Sequence, residues 1–265
     1  MHRVSKVMLS FIIENNSEFA SVAHAMQLLI EEKYPSVLKE TDAVLTVSDN
    51  VTLSFLDESS KLLGSSFSVD ILNDEILWRL RHSGKSSEPV CKAVIGKLDN
   101  PIVFDATAGL GRESLILQNS GANVYMFERN PIIYLMLLAS LHNSKSSKKI
   151  ELLKNSLPTL SPYGSVIEVK AKNELPCIPD VIYYDPMFPQ RKKSALVKRE
   201  MRIFHELVGF DEDTVETANE LLKICKHHLV VKRPSNEMPL ELNVKRSSYI
   251  DGKACRFDCY YVKNN

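Results

Sequence analysis

Two carboxylate-bearing turns carry the chemistry this sequence can support. The first is Asp105-Ala106-Thr107-Ala108-Gly109-Leu110-Gly111-Arg112, entered from the apolar run Ile102-Val103-Phe104 and followed by the helical pattern Leu115, Ile116, Leu117. It reads as a strand that breaks into a glycine turn and opens a helix. Two glycines one residue apart let the backbone turn sharply and approach a ligand with no Cβ between, and the helix directs its unbonded N–H groups at the same place. A second strand, Asn123-Val124-Tyr125-Met126-Phe127, ends on Glu128, 19 residues beyond Gly109, where an acid suits a ribose diol. A dinucleotide fingerprint would need a third glycine where Ser114 stands. A carboxylate at Asp105 repels a pyrophosphate and favours a cation, and S-adenosylmethionine carries an ammonium and a sulfonium beside its ribose. Asp105 and Glu128 therefore favour S-adenosylmethionine over a dinucleotide. A lone G-x-G turn is often an ordinary tight loop; the series of strand, turn, helix and second acid gives this one its weight.

The second turn is Asp185-Pro186-Met187-Phe188-Pro189, which stops the apolar strand pattern Val181-Ile182-Tyr183-Tyr184. Ligands of open parallel sheets bind at that carboxyl edge. Prolines at 186 and 189 stiffen the loop and leave carbonyls as acceptors. Asp185 and the Pro186 carbonyl could accept hydrogen bonds from an exocyclic amine on a planar base, turning its nitrogen lone pair toward a sulfonium methyl, while Phe188 stacks on the ring. An isolated Asp-Pro is usually only a turn signal; the cofactor turn earlier in the same fold context shifts the reading toward catalysis.

The densest basic stretch follows at once, from Gln190 through Arg191, Lys192, Lys193, Lys198 and Arg199 to Arg202. Such a run is often a solvated helix face, but beside an amine pocket it suits phosphates. Lys232, at the end of a later strand with Arg233-Pro234, adds charge to the same edge. No acid-rich or His/Cys ligand set accompanies these loops, so no metal is expected; His227 and His228 open a strand, where neighbouring side chains are expected to diverge.

Thirty-three basic residues balance 33 acidic ones in 265, so affinity for nucleic acid must come from local clusters. Hydrophobic residues make up 44%, enough for a substantial core. Five cysteines form no C-x-x-C pair, the pattern of a reducing compartment, and the start carries neither an export signal nor a span of about 20 apolar residues. A cytoplasmic protein without membrane attachment is the expectation.

Residues 1–70 read as a small α+β subdomain: strand-like Val7–Ile13, helix-like Phe19–Lys33, then alternating runs at Ala43–Val47 and Val51–Leu56. Residues 71–265 read as a second, larger domain. Ile71–Leu98 looks helical in two pieces, split by the polar Ser83–Ser87 hinge with Arg79, Arg81 and Lys85 around it. Beyond Pro101, strands are expected near 102–105, 123–127, 149–153, 180–184 and 228–232, with a helix over Pro131–His142, so the sheet should be parallel with right-handed crossovers. Strand-like runs on either side of Asp251-Gly252 signal a closing hairpin.

Together these residues resemble the class I S-adenosylmethionine-dependent methyltransferases. More narrowly they are similar to the methyltransferase J family, which modifies the exocyclic N2 of a guanosine in bacterial small-subunit (16S) ribosomal RNA. The resemblance rests on Asp105 to Arg112, Glu128-Arg129-Asn130-Pro131, Asp185 to Pro189 leading into Lys193-Ser-Ala-Leu-Val-Lys198, and Val230-Val-Lys-Arg-Pro234, and it covers roughly residues 70 to 265. It implies a Rossmann-like α/β sheet, mostly parallel with a C-terminal antiparallel hairpin, and an enzyme that uses S-adenosylmethionine on ribosomal RNA or the small subunit. It further implies cofactor contacts at Arg112, Glu113, Glu128 and Arg129, adenine contacts at Asn155 and Ser156 after the third strand, and Asp185 closing the site. The readings left beside it are an amino-methyltransferase for adenine N6 in DNA or for a protein amide, and a non-catalytic RNA-binding module.

Overall fold

The computed structural model describes residues 9–14, 16–33, 43–56, 62, 66–82, 84–187 and 213–262. These fall into two compact units. One takes its described residues from the first 70 positions and from Asn130–Lys145; the other takes them from Ile71–Arg129, Ser146–Met187 and the segment after 212.

In the first unit, β1 (Leu9–Ile13), β2 (Ala43–Val47), β3 (Val51–Phe55) and β4 (Phe67–Ser68) lie in sequence order, β1 parallel to β2 and the rest antiparallel. Ala43, Leu45 and Val47 are fully buried while Val44 and Thr46 between them are half-buried, the period of two of a strand. Helices α1 (Ala20–Lys33) and α5 (Pro131–Lys145) pack together, and α5 also meets β3. The start of α5 is set locally: Pro131 takes the first helical position, and the Asn130 side chain accepts from the N–H groups of Ile132 and Ile133 at 3.0 and 3.2 Å.

The second unit is built on a sheet in the order β10-β11-β9-β8-β5-β6-β7 among the described residues. Its strands are β5 (Ile102–Asp105), β6 (Asn123–Met126), β7 (Thr159–Leu160), β8 (Val181–Tyr184), β9 (His228–Pro234), β10 (Ser248–Asp251) and β11 (Cys255–Tyr261). Strands β7, β6, β5, β8 and β9 run parallel, while β11 is antiparallel to both β9 and β10. All four residues of β8 are buried, as expected of a parallel strand covered on both faces. Helices α2 (Asp74–His82), α3 (Pro89–Val94), α4 (Arg112–Asn119), α6 (Val166–Ala171) and α7 (Thr214–Leu222) belong to this unit, and α6 and α7 enclose a core of Phe104, Phe127, Val169, Ile182, Leu221 and Tyr260. Among the described residues no helix is long and apolar enough to cross a membrane.

The expected strands at 102–105, 123–127, 180–184 and 228–232 and the closing hairpin are present; the one at 149–153 is not. Lys148–Leu152 is a 3₁₀ helix whose first turn is held by the Ser147 hydroxyl accepting from Lys149 N–H at 3.2 Å. The strand beside β6 is instead Thr159–Leu160.

The antiparallel edge is fastened by a buried charge cluster. Asp258 on β11 is fully buried and receives Arg256 at 2.6 and 2.9 Å and Arg246 at 2.9 Å. Removing the carboxylate leaves two guanidinium groups partly buried without their counter-charge. Asp258→Ala is expected to lower unfolding stability by about 3–5 kcal/mol in urea titration; a loss below about 1 kcal/mol would mean that water replaces the carboxylate without penalty.

Candidate active site

The turn between β5 and α4 is closed by its own backbone. Ala106 N–H donates to Tyr183 O at 2.8 Å and Ala108 N–H to Phe127 O at 3.0 Å, tying the turn to the strands on either side. Gly109 (φ 54°) and Gly111 (φ 73°) both occupy the left-handed region, and Gly111 is the residue from which α4 starts. Among the described residues a Cβ on Gly109 would meet no atom nearer than Thr107 O at 3.8 Å, so Gly109 is not packed against described protein. Glu128 reaches across from the end of β6, its Oε2 accepting from Gly109 N–H at 2.9 Å. The Tyr183 hydroxyl, within the field of Asp185, Glu113 and Asp105, is buried with no hydrogen-bond partner among the described residues. A left-handed glycine turn, a buried acid bonded to it and an unsatisfied hydroxyl fit a polar, nucleoside-bearing cofactor.

Asp105 is not the open acid that its sequence position suggests. It is 1% exposed; Oδ2 accepts from Ser114 Oγ at 2.6 Å and Oδ1 from Thr107 N–H at 3.1 Å. Burial pushes its pKa up to about 7, the hydrogen bonds from Ser114 and Thr107 pull it back, and the nearby Glu113 and Asp185 add to the rise. The residue standing in place of a third glycine thus braces the acid that precedes the turn.

Asp185 lies just past the end of β8. Its N–H donates to Thr107 Oγ1 at 2.7 Å, and its Oδ2 receives Lys232 Nζ at 2.6 Å from β9. Burial works against the Lys232 ammonium, but the Asp185 and Glu113 carboxylates outweigh it and hold its pKa well above the usual lysine value. The sequence points Lys232 toward phosphates; the structure gives it Asp185 instead, because parallel pairing of β8 with β9 sets Tyr184 opposite Val231 and brings the strand ends together.

The remaining expected residues divide into three groups. Arg112 approaches Glu75 at 3.7 Å, Glu113 approaches Arg79 at 3.8 Å, and Arg129 approaches Asp213 at 3.4 Å, so all three stand around the turn and the end of β6 in ion pairs. Asn155 and Ser156 are elsewhere: Asn155 Nδ2 donates to Gln118 O at 2.8 Å and Gln118 Nε2 to Ser156 Oγ at 3.1 Å, at the far end of α4, about 10 Å along the helix from Gly111. Their expected place followed from a strand at 149–153 that is not formed. The residues that do follow the strand beside β6 are Ser161, Pro162 and Tyr163, and Tyr163 Oη donates to Arg129 O at 2.9 Å. Phe188, Arg191, Lys192, Lys193, Lys198 and Arg199 lie outside the described residues; Pro186 is buried beside Asp185.

His227 and His228 do not diverge as expected. Their Nδ1 atoms are 2.7 Å apart, and His228 Nε2 donates to Ala93 O at 2.9 Å, so His228 Nδ1 is the acceptor. His227 precedes the strand and escapes its alternation. Burial lowers the pKa of His228 to about 4, which marks it as a neutral packing residue.

Residues 23–262 match the family model described as a SAM-dependent methyltransferase. The ribosomal RNA small subunit methyltransferase J of Coxiella burnetii is 38% identical over 250 residues, covering 92% of this chain and 94% of that protein. Its namesake from Thioalkalivibrio sulfidiphilus is 40% identical over 72% of this chain and 74% of its own. The crystal structure of a SAM-dependent methyltransferase from Neisseria gonorrhoeae superposes with a TM-score of 0.65 at 27% identity, covering 95% of each chain.

The buried Asp105 makes a pH prediction. Its folded pKa of about 7 exceeds the ordinary value of 3.8, so its contribution is complete below pH 4, declines through the interval and is lost above 7. Denaturant titrations from pH 4 to 8 should show wild-type stability falling relative to Asp105→Asn by on the order of 4 kcal/mol. Parallel curves for the two proteins would place the titration elsewhere.

Proposed function

This chain belongs to the SAM-dependent methyltransferase family, and from that premise we propose that it transfers a methyl group from S-adenosyl-L-methionine to the exocyclic N2 amine of a specific guanosine in small-subunit (16S) ribosomal RNA. The observation that carries this reading is the fixing of Asp185 at the sheet edge by Thr107 of the glycine turn and by Lys232, which sets an acid for an amine beside the place for a cofactor. The ribosomal RNA named for the relatives at 38–40% identity supports the choice of substrate, and five cysteines, none in a disulfide, suit the cytoplasm.

The residues that would hold the cofactor are the Gly109–Gly111 turn, Glu128 for the ribose hydroxyls, and Arg112, Glu113 and Arg129 around them. S-adenosylmethionine, when bound, would supply a methyl made electrophilic by its sulfonium, the sulfur keeping the electron pair of the broken carbon–sulfur bond as a neutral thioether. The Asp185 carboxylate and the Pro186 carbonyl accept the two N–H bonds of the guanine amine and turn its lone pair toward that methyl. Because the N2 lone pair is delocalised into the ring, alignment and exclusion of water supply most of the rate. As nitrogen bonds to carbon it becomes cationic and gives up one proton, which Asp185 takes. Lys232 keeps the carboxylate charged and aimed, and Phe188 stacks on the base. The basic run from Arg191 to Arg199 holds flanking phosphates, on the small subunit or on its RNA.

Two outcomes are expected with tritiated cofactor and separate pools of small subunits, 16S RNA, DNA and protein. Label should enter 16S RNA or the subunit, and nuclease mapping should return N2-methylguanosine; label confined to DNA or protein would replace this substrate. Asp185→Asn should cut transfer by about 10²–10⁴-fold while cofactor affinity in calorimetry stays within a few-fold. Lys232→Met should lower kcat by roughly 10-fold with RNA affinity little changed, since its charge serves Asp185; a loss confined to RNA binding would return Lys232 to the phosphates.

A further inference from the structure

The chain's single tryptophan is displayed rather than buried. Helix α2 presses Ile76, Leu77 and Leu80 into the second unit and turns Asp74, Glu75, Trp78, Arg81 and His82 outward, at the spacing of one helical face. Trp78 is 62% exposed. Its surroundings are charged rather than apolar, which is not the composition of a protein-docking patch.

The indole is nonetheless held in place. The His82 ring stacks on it with centroids 4.4 Å apart and planes 23° from parallel, and His82 Nδ1 donates to the Trp78 carbonyl at 2.8 Å. Among the described residues no other ring stacks on Trp78. The acids of this face are matched: Asp74 by Lys149 at 3.0 Å and Glu75 by Arg112 at 3.7 Å. Arg81 has no carboxylate partner among the described residues and is exposed next to the stack. The result is a planar aromatic surface, pre-ordered on one side and open on the other, beside an uncommitted cation.

The position is equally specific. Arg79 reaches Glu113 at 3.8 Å and Arg112 reaches Glu75, so α2 is tied at two points to the first turn of α4, where the glycine turn ends. Arg79 is itself anchored to Glu88 at 2.6 and 2.9 Å.

The geometry points to the Trp78–His82 stack with Arg81 as a platform for a single-stranded segment of the RNA substrate, one unpaired base lying on the open indole face and its phosphate on the Arg81 guanidinium. The inference rests on the ribosomal RNA reading and adds to it a docking site on the methyltransferase unit itself. Side chains cannot read the deep groove of an RNA duplex, whereas unstacked bases of loops and ends bind by stacking on aromatics. A methyl donor site that needs a guanine out of its helix has a use for a neighbour that holds the strand open.

Because Trp78 is the only tryptophan, its emission reports the contact directly. Titration of the full chain with an unstructured oligoribonucleotide should quench tryptophan fluorescence saturably, and a duplex of the same composition should quench much less. Trp78→Ala should weaken binding of that oligonucleotide by about 10- to 100-fold in filter binding, Trp78→Phe by less, and Arg81→Gln should reduce the salt dependence by about one ion. Cofactor affinity in calorimetry should be unchanged in all three, which also shows that they fold. In the transfer assay the defect should fall on KM for RNA. If wild-type protein methylates 16S RNA while its fluorescence is indifferent to bound RNA, or if Trp78→Ala binds RNA as tightly as wild type, the platform is overturned and the substrate stands. If no RNA is bound or methylated, both fall. Quenching by a protein fraction and not by RNA overturns the platform in favour of a protein partner.

Discussion

Carboxylates crowd the carboxyl edge of the parallel sheet, and the rest of the site is arranged to tolerate that crowding. Asp105 and Asp185 issue from the adjacent strands β5 and β8 and Glu113 from the first turn of α4, which follows β5, so three carboxylates share one corner in which Asp105 is fully buried. Thr107 links the two aspartates: its N–H donates to the Asp105 carboxylate, and its hydroxyl accepts the backbone N–H of Asp185 and so fixes where that residue leaves its strand. Ser114 satisfies the other oxygen of Asp105, and Lys232 supplies the only full positive charge bonded to Asp185 among the described residues. The glycine turn and the Asp185 corner are thereby one hydrogen-bonded piece. Catalysis by alignment depends on that kind of rigidity, because a misplacement of about 1 Å in either part can cost on the order of 10²-fold.

Most of this fold was legible because its strands announce themselves in two ways. β5, β8 and β9 are short apolar runs ending in a polar turn, as fully covered parallel strands must be, and β10 and β11 flank an Asp-Gly pair. The strand beside β6 has neither mark. Thr159–Leu160 is two residues long and hemmed by Pro158 and Pro162, whereas Ile150-Glu151-Leu152-Leu153 carries the apolar spacing of a strand but caps itself on Ser147 and turns. Local hydrogen bonding won over pattern, and everything placed by reference to that strand moved with it, Asn155 and Ser156 included.

At the site, what the sequence displays is whatever backbone geometry demands: glycines where φ must be positive, an acid one strand later, an acid-proline corner after a buried run. Side-chain partnerships are not displayed, since they join residues that only topology brings together. Ser114 reads as a missing glycine and is a brace; Lys232 reads as surface charge and is the counter-ion of Asp185, 47 positions earlier in the chain. Adjacent strands in a parallel sheet come from distant sequence, so spacing alone holds no trace of such pairs. Asp105 shows the same limit in reverse. Its position was readable but its burial was not, and burial changes it from an acid that meets a ligand to one that holds the turn.

Neutral overall charge makes the placement of cations the deciding matter for a polyanionic substrate. Around the site the described cations are already spoken for: Lys232 by Asp185, Arg79 by Glu88 and Glu113, Arg112 by Glu75, Arg129 by Asp213. They contribute little counter-ion release, because a paired cation brings few condensed ions away from RNA. On the function proposed above, affinity must then come from groups outside this network and discrimination of an amine on one edge of one base from acceptors inside it. Contacts to phosphates and stacked rings are tolerant of sequence; hydrogen bonds from an exocyclic amine to fixed acceptors are not. Under that reading, separating the two would let the grip on the strand change without disturbing the 2.6–3.1 Å bonds of the carboxylate corner, and the proposed platform on α2 would contribute to binding while that corner keeps its geometry.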